Sequence, residues 1–566
     1  MGRKSGRRST TEGHPESLAN LRFFDESIFA AEVDNPSNID VVVGGTTTEE
    51  QATDCGVPSV LLGPQDLLSR YGVMVGAEQL DAIIVGAGFG GMGAAIQLNR
   101  VGYNNIAILD REDDLAGTWH INRYPRLTVD VPTTTYSYWF EPYPYWSRLY
   151  APGEELKQYA DHVADKYDVR RYMRFHTTVE GARWDEEAQV WRVALAGGET
   201  LTARFLITAT GFLSQPRTPD IPGITGFNGK VIHSTRWDHS YSLEGRRVGI
   251  IGTGVTAVQL IPELADNASD LTIYQRTPIW VIPKIDFAIP PAVQRLFARF
   301  PFLQRAVRWV TDAMGELGVV PGIVYYRWAR PLTVAAAKLS KMHMFASIRD
   351  EELRRKLTPD YDFGCKRPTY HNSYYRTLTK PNVHLETAGI ERIEPDGIVT
   401  ADGRKTVIDT LVLATGFDLW DANFPAIEVV GREGRNLGKW WRDNRFHTYQ
   451  GVSVPYFPNF LSLASPYAFA GFSFFNTMEY QMRHMDRLFG ELRRRTGTTF
   501  EVTEEANARF FDRMTERVDD MVFFRGNCAS SRSYYFRGKA TMMRPTSTRN
   551  AVRESTRFPL SDYAFT

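Results

Sequence analysis

Two stretches of this sequence carry glycines at the spacing that lets a backbone close on a pyrophosphate. In LDAIIVGAGFGGMGAAIQLNRVGYNNIAILDRE, Gly86, Gly88 and Gly91 form G-x-G-x-x-G between an apolar run and an amphipathic one, and Asp110 ends the next apolar run. The first glycine permits a tight turn, the second a close approach of backbone to phosphate, the third close packing of helix on strand. The free N–H groups and positive dipole end of the following helix suit phosphates, and a carboxylate at Asp110 suits ribose hydroxyls. In RRVGIIGTGVTAVQLIPELADNASDLTIYQRTP the pattern recurs as Gly252, Gly254 and Ala257, but the second apolar run ends in Gln275, Arg276 and Thr277. An acid there would repel a 2′-phosphate, whereas Arg276 can pair with one through charge-assisted hydrogen bonds. The reading is two dinucleotide sites. FAD is expected in the first, by its place in the chain, and NADPH in the second.

Three further stretches set charged, polar and aromatic residues at fixed spacings. LAGTWHINRYPRLTVDVP holds Ala116, Gly117, Thr118, Trp119, Tyr124, Pro125 and Asp130. GFNGKVIHSTRWD, between the two glycine-rich stretches, holds Phe227, Gly229, His233 and Trp237, followed by Asp238. DFGCKRPTYHNSYYRTLTKPNVHL holds Lys366 beside Arg367. Taken singly, each residue reads as a turn, a core aromatic or a surface charge. Four fixed positions with a nucleotide fingerprint on either side do not.

Together these stretches resemble the type I Baeyer–Villiger monooxygenases, a family of class B flavoprotein monooxygenases. GFNGKVIHSTRWD matches F-x-G-x-x-x-H-x-x-x-W-[P/D], and the earlier stretch matches [A/G]-G-x-W-x-x-x-x-[F/Y]-P-[G/M]-x-x-x-D in every spacing. One position departs: Arg126 stands where the family has Gly or Met, which puts the local backbone shape and the substrate preference in question. Lys366 and Arg367 resemble the family's adjacent Lys–Arg. The repeats ending at Phe212 and Phe417 resemble the passages between its two domains, and SRSYYFRGK resembles its mobile loop. The resemblance spans about residues 80 to 540 and leaves the first 80 unexplained.

The resemblance implies an enzyme with FAD and NADPH that inserts one oxygen atom of O2 next to a ketone carbonyl, through a C4a-peroxyflavin, to give an ester or lactone. Arg367 then stabilises developing negative charge, and Asp130 sits behind it and orients it. Thr118, Trp119 and Asp130 belong to the flavin site, and Lys366 joins Arg276 and Thr277 around the 2′-phosphate. His233 and Trp237 couple the two domains and are not an acid–base pair. Tyr534 occupies the place of a loop Trp, where it either hydrogen-bonds through its hydroxyl or packs. Tyr136, Tyr138, Trp139 and Phe140 read as core and loop packing. The nearest competing reading is a flavin monooxygenase acting on nitrogen or sulfur, which has no need of the Lys366–Arg367 pair. A pyridine nucleotide–disulfide reductase needs a cysteine pair, and the sequence offers none. A nucleotide-sensing regulator without catalysis would keep both folds.

The elements that must position these residues are strands and helices of an α/β protein with two Rossmann-like domains. Residues 1–79 read as an N-terminal extension, 80–220 as the first part of the FAD domain, and 221–390 as the NADPH domain. Residues 391–566 read as the second part of the FAD domain with the C-terminal loop. A helical, apolar and basic insertion at about 285–350 interrupts the NADPH domain. It reads as a cover for the substrate entrance or as an interfacial helix on a membrane, and Pro301 and Pro331, as helix interrupters, favour the cover.

The whole-chain balance of 66 Lys and Arg against 66 Asp and Glu gives no field that would favour nucleic acid. Cys55, Cys365 and Cys528 are widely separated, without metal-ligand spacing, and suit a reducing compartment. The N-terminus lacks the apolar run of a secretory signal, and nowhere do about 18 apolar residues run together. The expectation is a cytoplasmic enzyme without a metal, acting on a hydrophobic ketone suited to its aromatic tail. Its oligomeric state is not legible.

Overall fold

A computed structural model of the chain describes residues 79–566; the expected N-terminal extension, and Cys55 within it, lie outside the described residues apart from Gln79. The first glycine-rich stretch folds as strand β1 (Leu80–Val85), helix α1 (Phe89–Arg100) and strand β2 (Ile106–Leu109). β1 is flanked by two parallel neighbours, β2 on one side and β3 (Thr200–Thr208) on the other. Its run of Ala82, Ile83 and Ile84 is fully buried, as a parallel strand covered on both faces requires. Beyond β3 the sheet turns antiparallel through Val190–Leu195 and Val179–Asp185, whose burial alternates along the strand.

The second glycine-rich stretch builds a five-stranded, all-parallel sheet. β4 (Lys230–His233) forms one edge, and β5 (Arg247–Ile251) is followed by α2 (Val255–Asn267) and β6 (Asp270–Tyr274). The helical insertion follows as α3 (Pro291–Arg299), α4 (Pro301–Gly318), α5 (Val320–Val324) and α6 (Tyr326–Ser347). β7 (Val383–Glu386) and β8 (Thr410–Leu413) complete the order β7-β6-β5-β8-β4. The chain then returns to the first sheet, where Glu428–Val430 and β9 (Phe460–Ser462) join it.

Two expectations are corrected here. β8 pairs with β5 and β4, so the second sheet extends to Leu413 and not to residue 390. A four-residue buried run such as TLVL satisfies either sheet, and periodicity does not say which one it joins. Of the two prolines, Pro301 does interrupt, since α3 ends at Arg299 and α4 begins at Pro301, but Pro331 does not. Pro301 occupies the first turn of the 18-residue α4, where no N–H is needed, and Pro331 removes one bond near the start of the 22-residue α6. No helix among the described residues is long and apolar enough to cross a membrane.

Candidate active site

Both glycine turns fall at the C-terminal end of a strand whose two neighbours lead the chain in different directions, the place where open α/β sheets bind ligands. Gly86 has φ +110°, and a Cβ there would lie 2.6 Å from the carbonyl oxygen of Ala209. Gly91 is forced by packing, since a Cβ would meet the carbonyl oxygen of Gly86 at 1.9 Å. Gly252, with φ +119°, would meet that of Ala414 at 2.3 Å. The middle glycines differ. A Cβ on Gly88 would touch only Gly117, at 3.7 Å, and a Cβ on Gly254 would touch nothing within 4 Å. The protein's own atoms therefore do not require glycine at either place, and neither following helix has a side-chain cap on its first N–H groups. Open cradles with free amides at Gly88 and Gly254 fit two pyrophosphates.

A cavity of about 620 Å3 joins the two turns, with Gly88 and Gly254 both in its wall. Asp110 lines it and orders the first turn, accepting from the Ala87 N–H at 2.7 Å and the Glu112 N–H at 3.0 Å. Each of its oxygens keeps a lone pair for a further donor. Thr118 and Trp119 line it from the segment after Ala116, which takes φ +87°. The Trp119 indole donates to Tyr136 Oη at 3.2 Å, so Tyr136 belongs to the cavity wall and not only to the packing assigned to it from the sequence.

Arg367 and Asp130, 237 residues apart, meet at this wall. The guanidinium donates through Nε at 2.6 Å and its terminal nitrogen at 2.7 Å, a bidentate pair. Burial works against the charge of Arg367, but the Asp130 carboxylate outweighs it and holds the guanidinium well above its ordinary pKa. Tyr534 lines the cavity beside them with Tyr535, whose ring lies 4.8 Å away. Tyr534 is pushed far above the usual phenol range, by burial first and then by Tyr535.

A second group of cations gathers near Lys366. Burial, and then the charge of Arg276, pull the Lys366 amine down to about 8. Arg276 is itself lowered by burial and by the neighbouring charges of Arg532 and Arg217. None of the four forms an ion pair with a carboxylate among the described residues, so the cluster fits a polyanionic group. Arg217 and Arg532 escaped sequence reading: one follows the first ATGF, and the other stands two residues before Tyr534 in the SRSYYFRGK stretch. Thr277 receives the Thr253 hydroxyl on its carbonyl at 2.7 Å, next to this second turn.

The signature residues lie outside the cavity. Phe227 packs with Ile398, Ile408 and Leu411, and a Cβ on Gly229 would strike its ring at 2.6 Å. His233 ends the edge strand β4, with Nδ1 2.8 Å from Thr235 Oγ1, and burial lowers its pKa. Trp237 packs on the core of the second sheet, and Asp238 holds Lys230 at 2.7 Å. Arg236, between His233 and Trp237, makes two 3.0 Å bonds to Glu112 at the end of the first sheet's turn region, which ties this segment to both sheets.

Arg126 explains its own departure. It has φ +61°, a conformation that favours glycine, and its guanidinium reaches Glu263 at 2.7 Å and Asp266 at 2.9 Å on α2. The neighbouring Tyr124 donates to Gln259 of α2 at 3.0 Å, and Gln259 returns a bond to the Thr128 carbonyl at 3.0 Å. Sequence reading missed Gln259, a polar residue on an apolar helix face. It also missed a cysteine pair: Cys365 and Cys528 form a disulfide across 163 residues. The bond removes the support that scattered thiols lent to a reducing compartment. Neither cysteine lines the cavity.

Comparison with known proteins agrees with this geometry. Residues 83–301 match the family of pyridine nucleotide-disulphide oxidoreductases, which covers the two glycine turns. A Baeyer–Villiger monooxygenase of Streptomyces coelicolor is 36% identical over 490 residues, covering 86% of this chain and 92% of its own. Among solved structures, oxidized steroid monooxygenase bound to NADP matches with a TM-score of 0.76 at 28% identity. OTEMO in complex with FAD and NADP matches with a TM-score of 0.75 at 27% identity. Each of the two covers 86% of this chain and 99% of its own. Fold and site define a flavoprotein monooxygenase with two dinucleotide-binding folds. The chain belongs to the Baeyer–Villiger monooxygenases, NADPH-dependent enzymes that carry FAD and act on small-molecule ketones with O2.

Proposed function

We propose that the first glycine turn would hold FAD and the second NADPH, with Arg367 in the wall of the cavity that both turns share. The 2′-phosphate of NADPH then falls to Arg276, Lys366, Arg217 and Arg532, and Thr277 belongs to the same strand end. When bound, FAD reduced by NADPH supplies, with O2, the oxygen that is inserted; the protein orients the cofactors and provides the field. Arg367 stabilises the negative charge that develops on the ketone oxygen. An arginine suits the task because it stays charged in a half-buried site and donates no proton to a peroxide. Asp130 fixes the guanidinium through two hydrogen bonds and is a positioning residue. Asp110 takes the ribose hydroxyls on the FAD side. Thr118 and Trp119 border the flavin, and Phe227, Gly229, His233, Trp237 and Asp238 join the two sheets.

The substrate is a hydrophobic ketone. Phe469, Phe474, Ile427 and Met542 give the cavity an apolar wall, and Tyr534 with Tyr535 closes on the side of Arg367. The observation that carries the reading is the bidentate Arg367–Asp130 pair in the wall of the cavity that also receives Gly88 and Gly254. The test is NADPH oxidation by the purified holoprotein across a panel of linear, cyclic and polycyclic ketones, with product masses recorded. A product heavier than its ketone by one oxygen, with ester connectivity, is expected. Oxygenation of amines or sulfides alone contradicts the assignment.

A further inference from the structure

We propose that the outward face of the helical insertion docks on the surface of an anionic phospholipid bilayer. Among the described residues, 16 of the 19 exposed large hydrophobic side chains fall between Ile285 and Phe345. Such concentration on one insertion marks an interaction surface, since scattered exposed hydrophobics need no explanation and a continuous set does.

The two long helices of the insertion are amphipathic the wrong way round for a protein surrounded by water. The inward face of α4 is polar: Gln304 donates to the Tyr143 carbonyl at 2.5 Å, Arg308 to the Ser137 carbonyl at 2.6 Å, and Thr311 meets Thr135 at 2.7 Å. Its outward stripe carries Phe302, Trp309, Val310 and Leu317, of which Trp309 is 67% and Leu317 74% exposed. α6 repeats the inversion over its middle, while the apolar Tyr326 and Met344 are buried near its two ends. Thr333 and Ser340 are buried, Ser340 donating to the Val281 carbonyl at 2.8 Å, while Trp328, Leu332, Leu339 and Met342 face out. At helical spacing these residues form one stripe on each helix.

Charge decides the occupant. Between residues 291 and 347 the exposed charged residues are Arg295, Arg299, Arg305, Arg327, Arg330, Lys338 and Lys341, all basic. The acids of this segment are engaged inward, Asp312 with Arg308 and Glu316 with the Thr548 N–H. Long basic side chains beside outward Trp and Leu suit a bilayer surface, where the stems lie along the apolar layer and the charges meet anionic headgroups. A second copy of this chain would set this basic face against itself. The insertion also contributes no residue to the wall of the cavity, so the cover predicted from the sequence does not account for the stripe. No helix among the described residues is long and apolar enough to cross a membrane, so the docking of this face is peripheral.

The test uses the full-length holoprotein and sedimentation with vesicles of phosphatidylcholine alone or with about 30 mol % phosphatidylglycerol, a surface charge on the scale of a natural anionic leaflet. Binding to the anionic vesicles is expected, with loss at high salt because the steering charges are exposed. Trp309→Glu, Leu317→Glu, Trp328→Glu and Leu339→Glu combined should cut the bound fraction at least about tenfold, while flavin absorbance and elution volume stay unchanged. Arg299→Glu, Arg305→Glu and Lys338→Glu combined, which leaves the apolar stripe intact, should do the same. Equal sedimentation with both vesicle types, or none with either, overturns the proposal. So does a change from dimer to monomer in the variants at unchanged vesicle binding, which would make the face an interface between copies.

Discussion

Arg276 and Lys366 reach the same place from different parts of the chain, one at the end of β6 and the other one residue before Arg367, and their shared charge has measurable consequences. A bidentate pair to a phosphate contributes roughly 2 kcal/mol, so Arg276→Ala should raise the KM for NADPH about thirtyfold and leave that for NADH nearly unchanged. An unaltered NADPH KM would remove Arg276 from the phosphate site. Lys366 adds a pH signature. Its folded-state pKa, lowered to about 8 by burial and Arg276, leaves it charged below that pH and neutral above it. The kcat/KM for NADPH should therefore fall above about pH 8, by up to tenfold per unit for a site that needs the charge, and that for NADH should not. Lys366→Arg should flatten the profile; a profile identical for both coenzymes would exclude the residue. At this scale the sequence disclosed residues held in a spaced pattern, such as Asp130, Arg276, Lys366 and Arg367. It concealed Arg217, Arg532 and Gln259, because each is an ordinary surface charge or helix polar group until the fold brings it to the site. Arg126 was visible as a departure, yet its remedy, two carboxylates of α2 at 2.7 and 2.9 Å, was not.

The glycine turns are the elements proposed to take one cofactor each. Gly88 and Gly254 have extended φ values of −75° and −72° and no backbone obstacle to a side chain, so substitution there should test the ligand and not the fold. Gly88→Leu should give a folded but colourless protein, and Gly254→Leu a yellow one that NADPH reduces slowly. The reverse pattern would mean that the two sites are exchanged. Disulfide Cys365–Cys528 joins the segment carrying Lys366 and Arg367 to the one carrying Arg532 and Tyr534. Hydrogen bonds of 3.0 Å between Asp362 and Asn527 run beside it. A digest of the native holoprotein without reductant should yield these two cysteines in one linked peptide; recovering both as alkylated free thiols would refute the bond. Strand–turn–helix units were legible because buried parallel strands and fingerprints repeat locally. The partner of a buried strand such as β8, and a cysteine pair 163 residues apart, depend on long-range contacts that no local pattern encodes.

For the whole molecule, the two-fold nucleotide architecture with a helical insertion was legible, since its motifs recur in order along the chain. The outward direction of the insertion's apolar stripe was not: periodicity shows that a helix has two faces, and only packing shows which is buried. The two sheets converge on one cavity, and Arg367 stands in its wall together with both glycine turns. Arg367→Ala should fold, retain FAD and accept a hydride from NADPH, more slowly because the guanidinium shares the cavity with the second turn. Oxygen insertion should suffer most. Stopped-flow flavin absorbance, combined with ester yield from a ketone that the native enzyme converts, measures both halves in one experiment. If Arg367 carries the oxyanion charge, flavin reduction stays within about tenfold of the native rate and ester formation falls by at least about two orders of magnitude, the loss expected when one oxyanion donor is removed. Ester formation by Arg367→Ala near the native rate would contradict that role.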